Sequence, residues 1–411
     1  MMSKKLYNCI IIGGGPAGAR AAYELSKKTK NIALIDYRES LGDKLCTGII
    51  GTECVEKYGI DKNLIFSEGN SAEITNPEKK TFHLESKEPK AYIIDRIKYV
   101  QNIIQKAKDN NTEIIYKSRV TDISFSKNYA KITFKSKGIE KEILTKSIIL
   151  ASGLENKLIN KLNINSIKNE NILNGSQLTM SYDTTPQIEN TKVFLGSKFG
   201  FQGFGWIVPT KKNEILIGVL TKDKSRKILI QFISELKNEF KLENIIEKNI
   251  KTWGIPIQPL EKTYAERTLV IGDAAGLVKP VTGGGIYYSQ ISAELAAETI
   301  EKAIIENDFS EKSFSAYQKN WKNLIGGEIL KGNKLRDILF GFEDKKLNHL
   351  TKFTFSNSII SNILISKSSS FDNHFKSFLN FINNENIINI FTKSKSSEIK
   401  ELIPNLKKKI F

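Results

Sequence analysis

Cysteine and histidine are scarce in this chain of 411 residues, with three of each. Cys9, Cys46 and Cys54 show no CxxC spacing, and the histidines lie far apart, so the sequence lacks the ligand pattern of a structural zinc site or an iron–sulfur cluster. It also lacks any run of about 18 apolar residues and any charged-then-apolar leader. We therefore expect a cytoplasmic protein with no metal centre, no membrane-spanning helix and no signal peptide.

Acidic residues are fewer than basic ones, with 45 Asp and Glu against 62 Lys and Arg, which gives a net charge of +17. The lysines are scattered among Asn, Ile and Ser, and no compact basic and aromatic module is present, so we expect no nucleic-acid partner. Only residues 391–411, FTKSKSSEIKELIPNLKKKIF, concentrate positive charge beside apolar residues. Two interpretations of this tail stay open: a solvated lysine-rich end, the commoner case, and a peripheral contact with a membrane surface.

Three consecutive glycines stand in residues 9–25, CIIIGGGPAGARAAYEL, between an apolar strand and a helical pattern. Gly13, Gly15 and Gly18 satisfy GxGxxG, in which the first glycine allows a tight turn and the second lets the backbone approach a pyrophosphate. The third lets the helix pack close to the strand. We count Ala17, in the same turn, with these dinucleotide-binding residues.

The context of this motif makes it more specific than GxGxxG alone. A second buried strand at 31–36 ends in Asp36, about 20 residues downstream, where a carboxylate can accept hydrogen bonds from the ribose of an adenine dinucleotide. The alternative is a glycine turn in an ordinary βαβ unit, with Asp36 as a loop acid. The full context favours a dinucleotide bound at a helix N-terminus.

A second glycine cluster decides between NAD and FAD. Residues 270–300, VIGDAAGLVKPVTGGGIYYSQISAELAAETI, place Asp273 at the end of a strand and three glycines at the start of a helix. This stretch resembles the second flavin motif of FAD enzymes of the para-hydroxybenzoate hydroxylase type. The resemblance implies that Asp273 binds the ribityl chain and that the amides near Gly285 and Ile286 face the flavin pyrimidine edge. We therefore predict FAD, and no permanent NADPH domain, because a second GxGxxG is absent.

Two further residues are nominated by the same resemblance. Residues 91–96, AYIIDR, resemble the segment before the helix that lies along the flavin, which implies a contact from Arg96. A surface charge at a helix start is the equally weighted alternative for Arg96. Val120 lies where this type of enzyme contacts adenine through its backbone.

The resemblance narrows to the geranylgeranyl reductase family over about residues 1–345. It is carried by GDKLCTGII at 42–50, GFGWIVP at 203–209 and, most specifically, GIPIQPLEKTYAERTLVIGDAAGLVKPVTGGGI at 254–286. Members of this family saturate isoprenoid double bonds, for example those of archaeal diether lipids, with reduced FAD. The resemblance implies an isoprenoid lipid substrate and an electron donor, either ferredoxin or NADPH.

The family pattern also suggests where the reaction takes place. Cys46 would lie beside the flavin, with the Thr47, Gly48 and Ile49 backbone close to the ring. The Cys46 thiol has two open roles, proton donor or packing group, and packing is the more common. We assign three residues of the middle sheet to an apolar wall for a prenyl chain: Phe204, Trp206 and Pro209. The alternative is that they are ordinary core residues.

Departures from related flavoproteins leave two alternatives open. Many flavin hydroxylases have an Asp-Gly motif where residues 151–159, ASGLENKLI, have Ser152, and halogenases carry WxWxIP, to which FGWIVP is a near match. The first alternative is accordingly a flavin-dependent monooxygenase or halogenase on the same fold. The second is a non-catalytic FAD-containing protein that binds lipid.

Strand and helix patterns predict an α/β fold, with a Rossmann-type FAD-binding domain, an inserted antiparallel β-sheet domain for the substrate and a C-terminal helical region. The discontinuous FAD-binding domain is assigned to residues 1–70, 91–160 and 262–310. The substrate domain is assigned to residues 71–90 and 161–261, and the helical region with its basic tail to residues 311–411.

Overall fold

The computed structural model describes residues 5–42, 46–182, 188–211, 213–242, 246–366 and 369–411. The strands in these ranges are β1 (Leu6–Ile12), β2 (Ile32–Ile35), β3 (Ile49–Gly51), β4 (Ile65–Gly69), β5 (Ser71–Thr75), β6 (Thr81–Glu85), β7 (Ala91–Ile94), β8 (Glu113–Ile115), β9 (Ser118–Phe125), β10 (Ala130–Ser136), β11 (Ile139–Leu150), β12 (Ile172–Ser181), β13 (Thr191–Leu195), β14 (Phe204–Pro209), β15 (Glu214–Thr221), β16 (Lys251–Pro256), β17 (Tyr264–Ala265) and β18 (Thr268–Val270). The α-helices are α1 (Pro16–Ser26), α2 (Thr52–Tyr58), α3 (Arg96–Asp109), α4 (Asn156–Asn160), α5 (Ser225–Leu236), α6 (Ile286–Glu306), α7 (Glu311–Trp321), α8 (Gly327–Leu339), α9 (Asp344–Phe355), α10 (Ser358–Leu364), α11 (His374–Ile382), α12 (Glu385–Thr392), α13 (Ser397–Lys400) and α14 (Leu402–Ile410).

A parallel sheet forms the centre of the largest core. Its main order is β17-β18-β11-β1-β2-β8, with β10 and β9 continuing antiparallel from β11. The four pairs around β1, β2, β8, β11 and β18 are parallel. Because β1, β2 and the end of β11 are buried on both faces, they are nearly continuous runs of Ile, Leu and Ala. This arrangement puts the carboxyl ends of β1 and β18 at the same edge of the sheet.

Helix α1 packs against β1, β2 and β11 of this sheet, and α6 packs against α1. Small residues allow the close approach, since Ala19, Ala21 and Ala22 of α1 are fully buried. Helix α6 is apolar on most of its circumference, as expected for a helix in the interior. Both helices begin at the sheet edge where β1 and β18 end, so their N-termini lie next to one another.

A second, seven-stranded sheet has the order β16-β12-β15-β14-β13-β5-β6. All its pairs are antiparallel except β13 with β5. Side chains alternate between its faces, so Ile215 and Ile217 pack under helix α5 while Leu216 and Leu220 face the opposite side. The face away from α5 carries the aromatic residues that matter for the site.

Helices α7 to α14 make up most of the chain after residue 310, and a small sheet, β3-β7-β4, links the two larger sheets. The mixed α/β fold with a helical C-terminal region is therefore confirmed. The assignment of domain boundaries stays a prediction. None of the helices in the described ranges is long and apolar enough to cross a membrane.

Apolar spacing in the sequence predicts that Leu324 lies on the buried face of a helix after residue 313 and that Ile97 lies on the buried face of α3, and both predictions are wrong. A three-and-four spacing places Leu324 on the buried face with Trp321, yet Leu324 is 61% exposed and Ile325 is buried. A π-helical turn, Lys322–Gly326, follows α7 and shifts the helical phase by one residue. In α3, Ile97 is 38% exposed, because the buried face runs through Tyr99, Val100 and Ile103 instead.

Candidate functional site

Three glycines of the glycine loop at residues 13–18, those of the GxGxxG motif, differ in what a side chain at each position would meet. Gly13 has φ +108°, and a Cβ at Gly13 would overlap the carbonyl oxygen of Ala151. A Cβ at Gly18 would overlap the carbonyl oxygen of Gly13, so the third glycine lets α1 approach the loop. A Cβ at Gly15 would meet nothing within 4 Å. Gly13 and Gly18 are therefore needed by the fold, whereas Gly15 leaves space for a ligand.

Asp36 follows β2 and supports this loop. Its carboxylate accepts from the backbone N–H of Gly14 at 2.6 Å and of Arg38 at 2.7 Å, and the side chain is almost fully buried. Two bonds do not exhaust the acceptor capacity of a carboxylate, which has about four lone-pair sites. Asp36 can thus hold the loop and still accept from a ligand hydroxyl.

A cavity of about 290 Å³ opens beside the glycine loop, and we call it the glycine-loop cavity. Arg38 and Arg119 border it, and their guanidinium groups lie 4.6 and 4.4 Å from the ring centroid of Tyr37. Ser152 also lines it, and its Oγ is buried without a hydrogen-bond partner among the described residues. Sequence reasoning missed the two arginines as site residues, although both flank predicted positions, Asp36 and Val120.

The second glycine cluster lies at the other helix start. Asp273 lies in a 3₁₀ turn, Gly272–Ala275, directly after β18, and a Cβ at Gly285 would be 2.9 Å from Asp273 Oδ1. Gly285 is the N-cap of α6, as Gly15 is of α1, and neither helix start receives a side-chain cap in the described ranges. Uncapped N–H groups and the positive end of each helix dipole suit an anionic or electron-rich ligand.

A second cavity, of about 190 Å³, lies between this turn and the seven-stranded sheet, and we call it the apolar cavity. Its sheet wall is Phe204, Trp206 and Val208, which alternate along one face of β14. The Trp206 indole lies over Gly218 of the neighbouring strand, where a Cβ would overlap the ring. Trp253 lies in the same way over Gly175. These glycines keep the aromatic wall flat.

The two cavities form one elongated site, because Pro16, Asp273 and Ser289 line both of them. One end is bordered by charged and backbone groups and the other by aromatic and aliphatic side chains. This is the shape required by a long ligand with a polar end and a reactive end next to an apolar compartment.

Most of the predicted site residues come together in these cavities. The glycine-loop cavity is lined by Gly13, Gly15, Ala17, Asp36 and Val120, and by Asp273. The apolar cavity is lined by Cys46, Thr47, Ile49, Arg96, Gly285, Ile286, Phe204 and Trp206, and again by Asp273. The exposed fraction of Arg96 is only 7%, and Arg96 donates to the carbonyl of Gly42, so Arg96 is not a surface charge.

Three predicted residues line neither cavity. Gly18 packs against the carbonyl of Gly13, and the carbonyl of Gly48, a residue with φ +80°, accepts from the N–H of Ile94 at 2.9 Å. Pro209 falls on the face of β14 opposite Phe204, Trp206 and Val208, since successive side chains alternate. The period-2 rule, applied from Trp206, would have selected Val208. Positions 43–45 of the GDKLCTGII segment lie outside the described residues.

The three cysteines differ in their surroundings. Cys46 is half-buried beside the apolar cavity, where its Sγ accepts from the N–H of Gly48 at 3.4 Å. Cys9 and Cys54 are buried in the core, and desolvation raises the pKa of each thiol to about 12. Of the three thiols, Cys46 alone reaches a cavity. No cluster of three or more His, Cys, Asp or Glu that could hold a metal occurs within the described ranges.

The chain is similar to proteins of known type over most of its length. A family model described as pyridine nucleotide-disulphide oxidoreductase matches residues 7–192. Digeranylgeranylglycerophospholipid reductase 1 of Methanococcoides burtonii is 26% identical over 358 residues, which cover 84% of this chain and 87% of that protein. The protein of the same name from Methanosphaera stadtmanae is 28% identical over 350 residues, covering 83% and 86%.

Solved structures show the same fold. A geranylgeranyl bacteriochlorophyll reductase-like protein of Thermoplasma acidophilum superposes with a TM-score of 0.81 at 21% identity, covering 98% of this chain and 99% of that one. A flavin-dependent brominase superposes with a TM-score of 0.67 at 19% identity, covering 88% and 92%. Together with the geometry of the two cavities, these matches support a flavin cofactor. The chain is thus similar in sequence to digeranylgeranylglycerophospholipid reductases and similar in fold to a geranylgeranyl reductase-like protein.

Proposed function

We propose that this protein is an FAD-dependent reductase that saturates C=C bonds in the geranylgeranyl chains of membrane lipids. The observation that carries the proposal is the continuity of the two cavities through Pro16, Asp273 and Ser289. Curated relatives named digeranylgeranylglycerophospholipid reductase support the substrate class.

FAD fits the residues that border the elongated site. In this assignment Asp36 accepts from the adenosine ribose, Gly15 makes room for the pyrophosphate, and Val120 contacts adenine through its backbone. Asp273 takes the ribityl hydroxyls, and the amides of Gly285 and Ile286 meet the pyrimidine edge of the ring. The remaining FAD contacts that we propose come from Gly13, Ala17 and Gly18 in the glycine loop, from Cys46, Thr47, Gly48 and Ile49 in the loop before β3, and from Arg96. The N-terminus of α6, a helix of 21 residues, favours negative charge on the reduced ring.

The apolar cavity supplies a compartment for the lipid tail. Phe204, Trp206 and Val208 form one wall, and Trp253 with Ile255 extends it. An aromatic and aliphatic lining stabilises a prenyl chain through burial of its surface and keeps water away from the reacting carbons. Pro209 would support the strand from its other face rather than contact substrate.

Bound reduced FAD would supply a hydride to one alkene carbon, while a proton is added to the other. Cys46 is the protic side chain that we nominate for the proton, and packing is its competing role. The Cys46→Ala and Cys46→Ser variants separate these roles. Loss of reduction with unchanged flavin content in both variants assigns proton transfer, whereas full activity in both assigns packing.

The electron donor and the membrane contact are finer parts of the proposal. Either ferredoxin or NADPH would reduce the flavin, and anaerobic bleaching of the flavin absorbance by one of them identifies the donor. Ile403, Leu406 and Ile410 of α14 are buried, so a membrane contact of the basic tail would use exposed lysines and the 62% exposed Phe411. Binding to anionic but not neutral vesicles, lost at high salt, tests this contact.

The decisive experiment follows the flavin and the lipid together without oxygen. The reconstituted protein is reduced with dithionite, excess reductant is removed, and a digeranylgeranyl glycerophospholipid is added. A reductase reoxidises its flavin and gains two hydrogens per saturated bond in the lipid mass spectrum. A non-catalytic lipid-binding protein leaves the flavin reduced. A monooxygenase or halogenase leaves the tail mass unchanged in the absence of oxygen and consumes oxygen rapidly once oxygen is admitted.

A matched pair of variants controls this experiment. Trp206→Ala removes the centre of the aromatic wall and should slow lipid reduction without loss of flavin. Phe201→Ala removes a ring that is 59% exposed and should behave as the unmodified protein. Equal lipid reduction by both variants would contradict the assignment of the apolar cavity.

A further inference from the structure

A segment far along the chain reaches the apolar cavity. Residues 369–374 lead into α11, whose first residue is His374, and Phe371 lines the cavity. This segment comes from the C-terminal helical region, to which sequence reasoning assigned no part of the site. We call residues 369–374 the C-terminal wall.

Asp372 is the anchor of the C-terminal wall. Its side chain is fully buried, and its carboxylate accepts from the backbone N–H of Gly51 at 3.2 Å and of Cys54 at 2.9 Å. These bonds join the wall to the end of β3 and the first turn of α2. The third partner is the ammonium of Lys279, 3.3 Å away.

Lys279 connects Asp372 to the second glycine cluster. It is 3% exposed, and besides Asp372 its Nζ donates to the carbonyl of Phe371 at 3.0 Å and lies 4.3 Å from the Phe371 ring centroid. Backbone bonds of 2.8 Å join Lys279 N–H to Gly284 O and Gly283 N–H to Lys279 O. A Cβ at Gly284 would lie 2.9 Å from Lys279 Cε, so the lysine stem runs directly along the glycine turn.

The pair therefore lies where three elements of the apolar cavity meet. These elements are the strand that carries Ile49, the glycine turn at 283–285 and the C-terminal wall with Phe371. Removing a charged pair from water is costly, and each partner here is compensated by the other and by backbone groups. The imidazole of His374 adds no second cation, because desolvation and the charge of Lys279 lower its pKa to about 3.

We propose that Lys279 and Asp372 are positioning residues that hold the C-terminal wall against the glycine turn, and that Phe371 is a specificity-determining residue that contacts the bound lipid tail. The inference rests on the proposed function for the nature of the tail. The position of Phe371 over the apolar cavity does not depend on it.

The first test measures how well the wall shields the flavin and needs no substrate. Quenching of the bound flavin's fluorescence by acrylamide, a neutral probe, is compared in the holoprotein and three variants. Phe371→Ala should raise the quenching constant toward that of free FAD, and Phe371→Leu, which keeps apolar bulk, should stay near the unmodified value. The quenching constant of Asp372→Asn should match that of Phe371→Ala, because the C-terminal wall is no longer held in place in Asp372→Asn.

Two more variants keep the test valid if Asp372→Asn folds poorly. Lys279→Arg retains the charge and should shield the flavin as the unmodified protein does, while Lys279→Met combined with Asp372→Asn removes both charges. The double variant should fold, since no unpaired charge is buried, but should shield the flavin poorly. A quenching constant that is unchanged in both Phe371→Ala and the folded double variant would overturn the proposal.

The second test uses prenyl lipids of increasing chain length. Phe371→Ala should raise KM for a geranylgeranyl lipid about tenfold, the scale of a lost apolar contact in a binding pocket, while leaving kcat nearly unchanged. Phe201→Ala is the control. A lower kcat with unchanged KM would refute the specificity role. If no lipid is reduced even by the unmodified protein, the proposed function fails, and the quenching result still decides whether the wall covers the flavin.

Discussion

The two cavities of this protein share three residues and differ in almost everything else. The glycine-loop cavity is centred on elements close together in sequence, β1, α1 and β2, and later segments at 118–120 and 151–158 complete it. It is bordered by backbone groups, Asp36 and two arginines. The apolar cavity gathers residues from Pro16 to Phe371 and is bordered mainly by aromatic and aliphatic side chains. The centre of the first is therefore a local structure, whereas the second draws on residues from nearly the whole chain.

In the proposed function, this difference separates binding of the nucleotide end of the coenzyme from the choice of substrate. Backbone N–H groups recognise any ligand with the right polar geometry and tolerate changes in side chains. A wall of rings recognises shape, so its selectivity changes with single side chains. Substitutions of residues that line the two cavities should therefore have separable effects, on coenzyme affinity at the glycine-loop end and on KM at the apolar end.

The largest effect is expected from Asp372→Asn at the apolar end. It leaves the Lys279 ammonium buried without a counter-charge, which should lower the free energy of unfolding by about 3–5 kcal/mol in urea denaturation. Glu235→Gln is the matched control, since its pair with Lys198 is about half exposed and should contribute about 1 kcal/mol or less. Equal losses in both variants would show that the buried pair has no special role.

A smaller effect is expected in the glycine loop, from two alanine substitutions three residues apart. Gly18→Ala should destabilise the apoprotein by about 1–3 kcal/mol, because its Cβ would overlap the Gly13 carbonyl. Gly15→Ala should leave the apoprotein stability unchanged but weaken flavin binding by roughly tenfold, as its methyl enters the cavity. Thermal unfolding of the apoprotein and flavin titration distinguish them, and the same behaviour in both variants would contradict the separate roles.

Gly218→Ala tests the flat aromatic wall. Its Cβ would push the Trp206 ring into the apolar cavity, which should raise KM for the lipid about fivefold, close to 1 kcal/mol, with unchanged flavin affinity. Gly327→Ala, in a helix where a Cβ meets nothing within 4 Å, is the control. A loss of flavin in Gly218→Ala would mean that the two ends are not separable.

Thiol reactivity provides the mildest comparison. At pH 8 a thiol with a pKa of about 12 is about one part in ten thousand thiolate, so buried Cys9 and Cys54 should resist a disulfide reagent in the native protein. Cys46 should react, and bound FAD should slow it. We expect one thiol per chain to react with the reagent in the native apoprotein and three to react in denaturant. Reaction of two thiols before unfolding would contradict the burial of Cys9 or Cys54.

The parts of the site that could be predicted from sequence are those with local patterns. A strand, a glycine motif, a helix and a second strand specify the glycine loop and Asp36 within 30 residues. Family motifs extended this to Asp273, Gly285 and Trp206. These predictions concern backbone conformation and short spacings, and the structure brings these residues together.

The remaining features depend on packing that no local pattern encodes. Phe371 and Asp372 have no motif, and although Lys279 lies within the 254–286 stretch, nothing in the sequence indicates that its ammonium is buried against Asp372. Leu324 was misplaced because a π-helical turn changes the phase without a mark in the hydrophobic spacing. The parallel pairing of β13 with β5 joins segments more than 100 residues apart, for which strand propensity carries no information.

The position of Phe371 has a practical consequence for preparing the protein. Every residue that lines the glycine-loop cavity precedes position 290. During synthesis these residues are therefore all translated long before Phe371, which lines the apolar cavity. Chains that are truncated or proteolysed near the carboxyl end should still bind flavin and be yellow. Colour in a column fraction is therefore a poor criterion for intact molecules, and a mass measurement should accompany it.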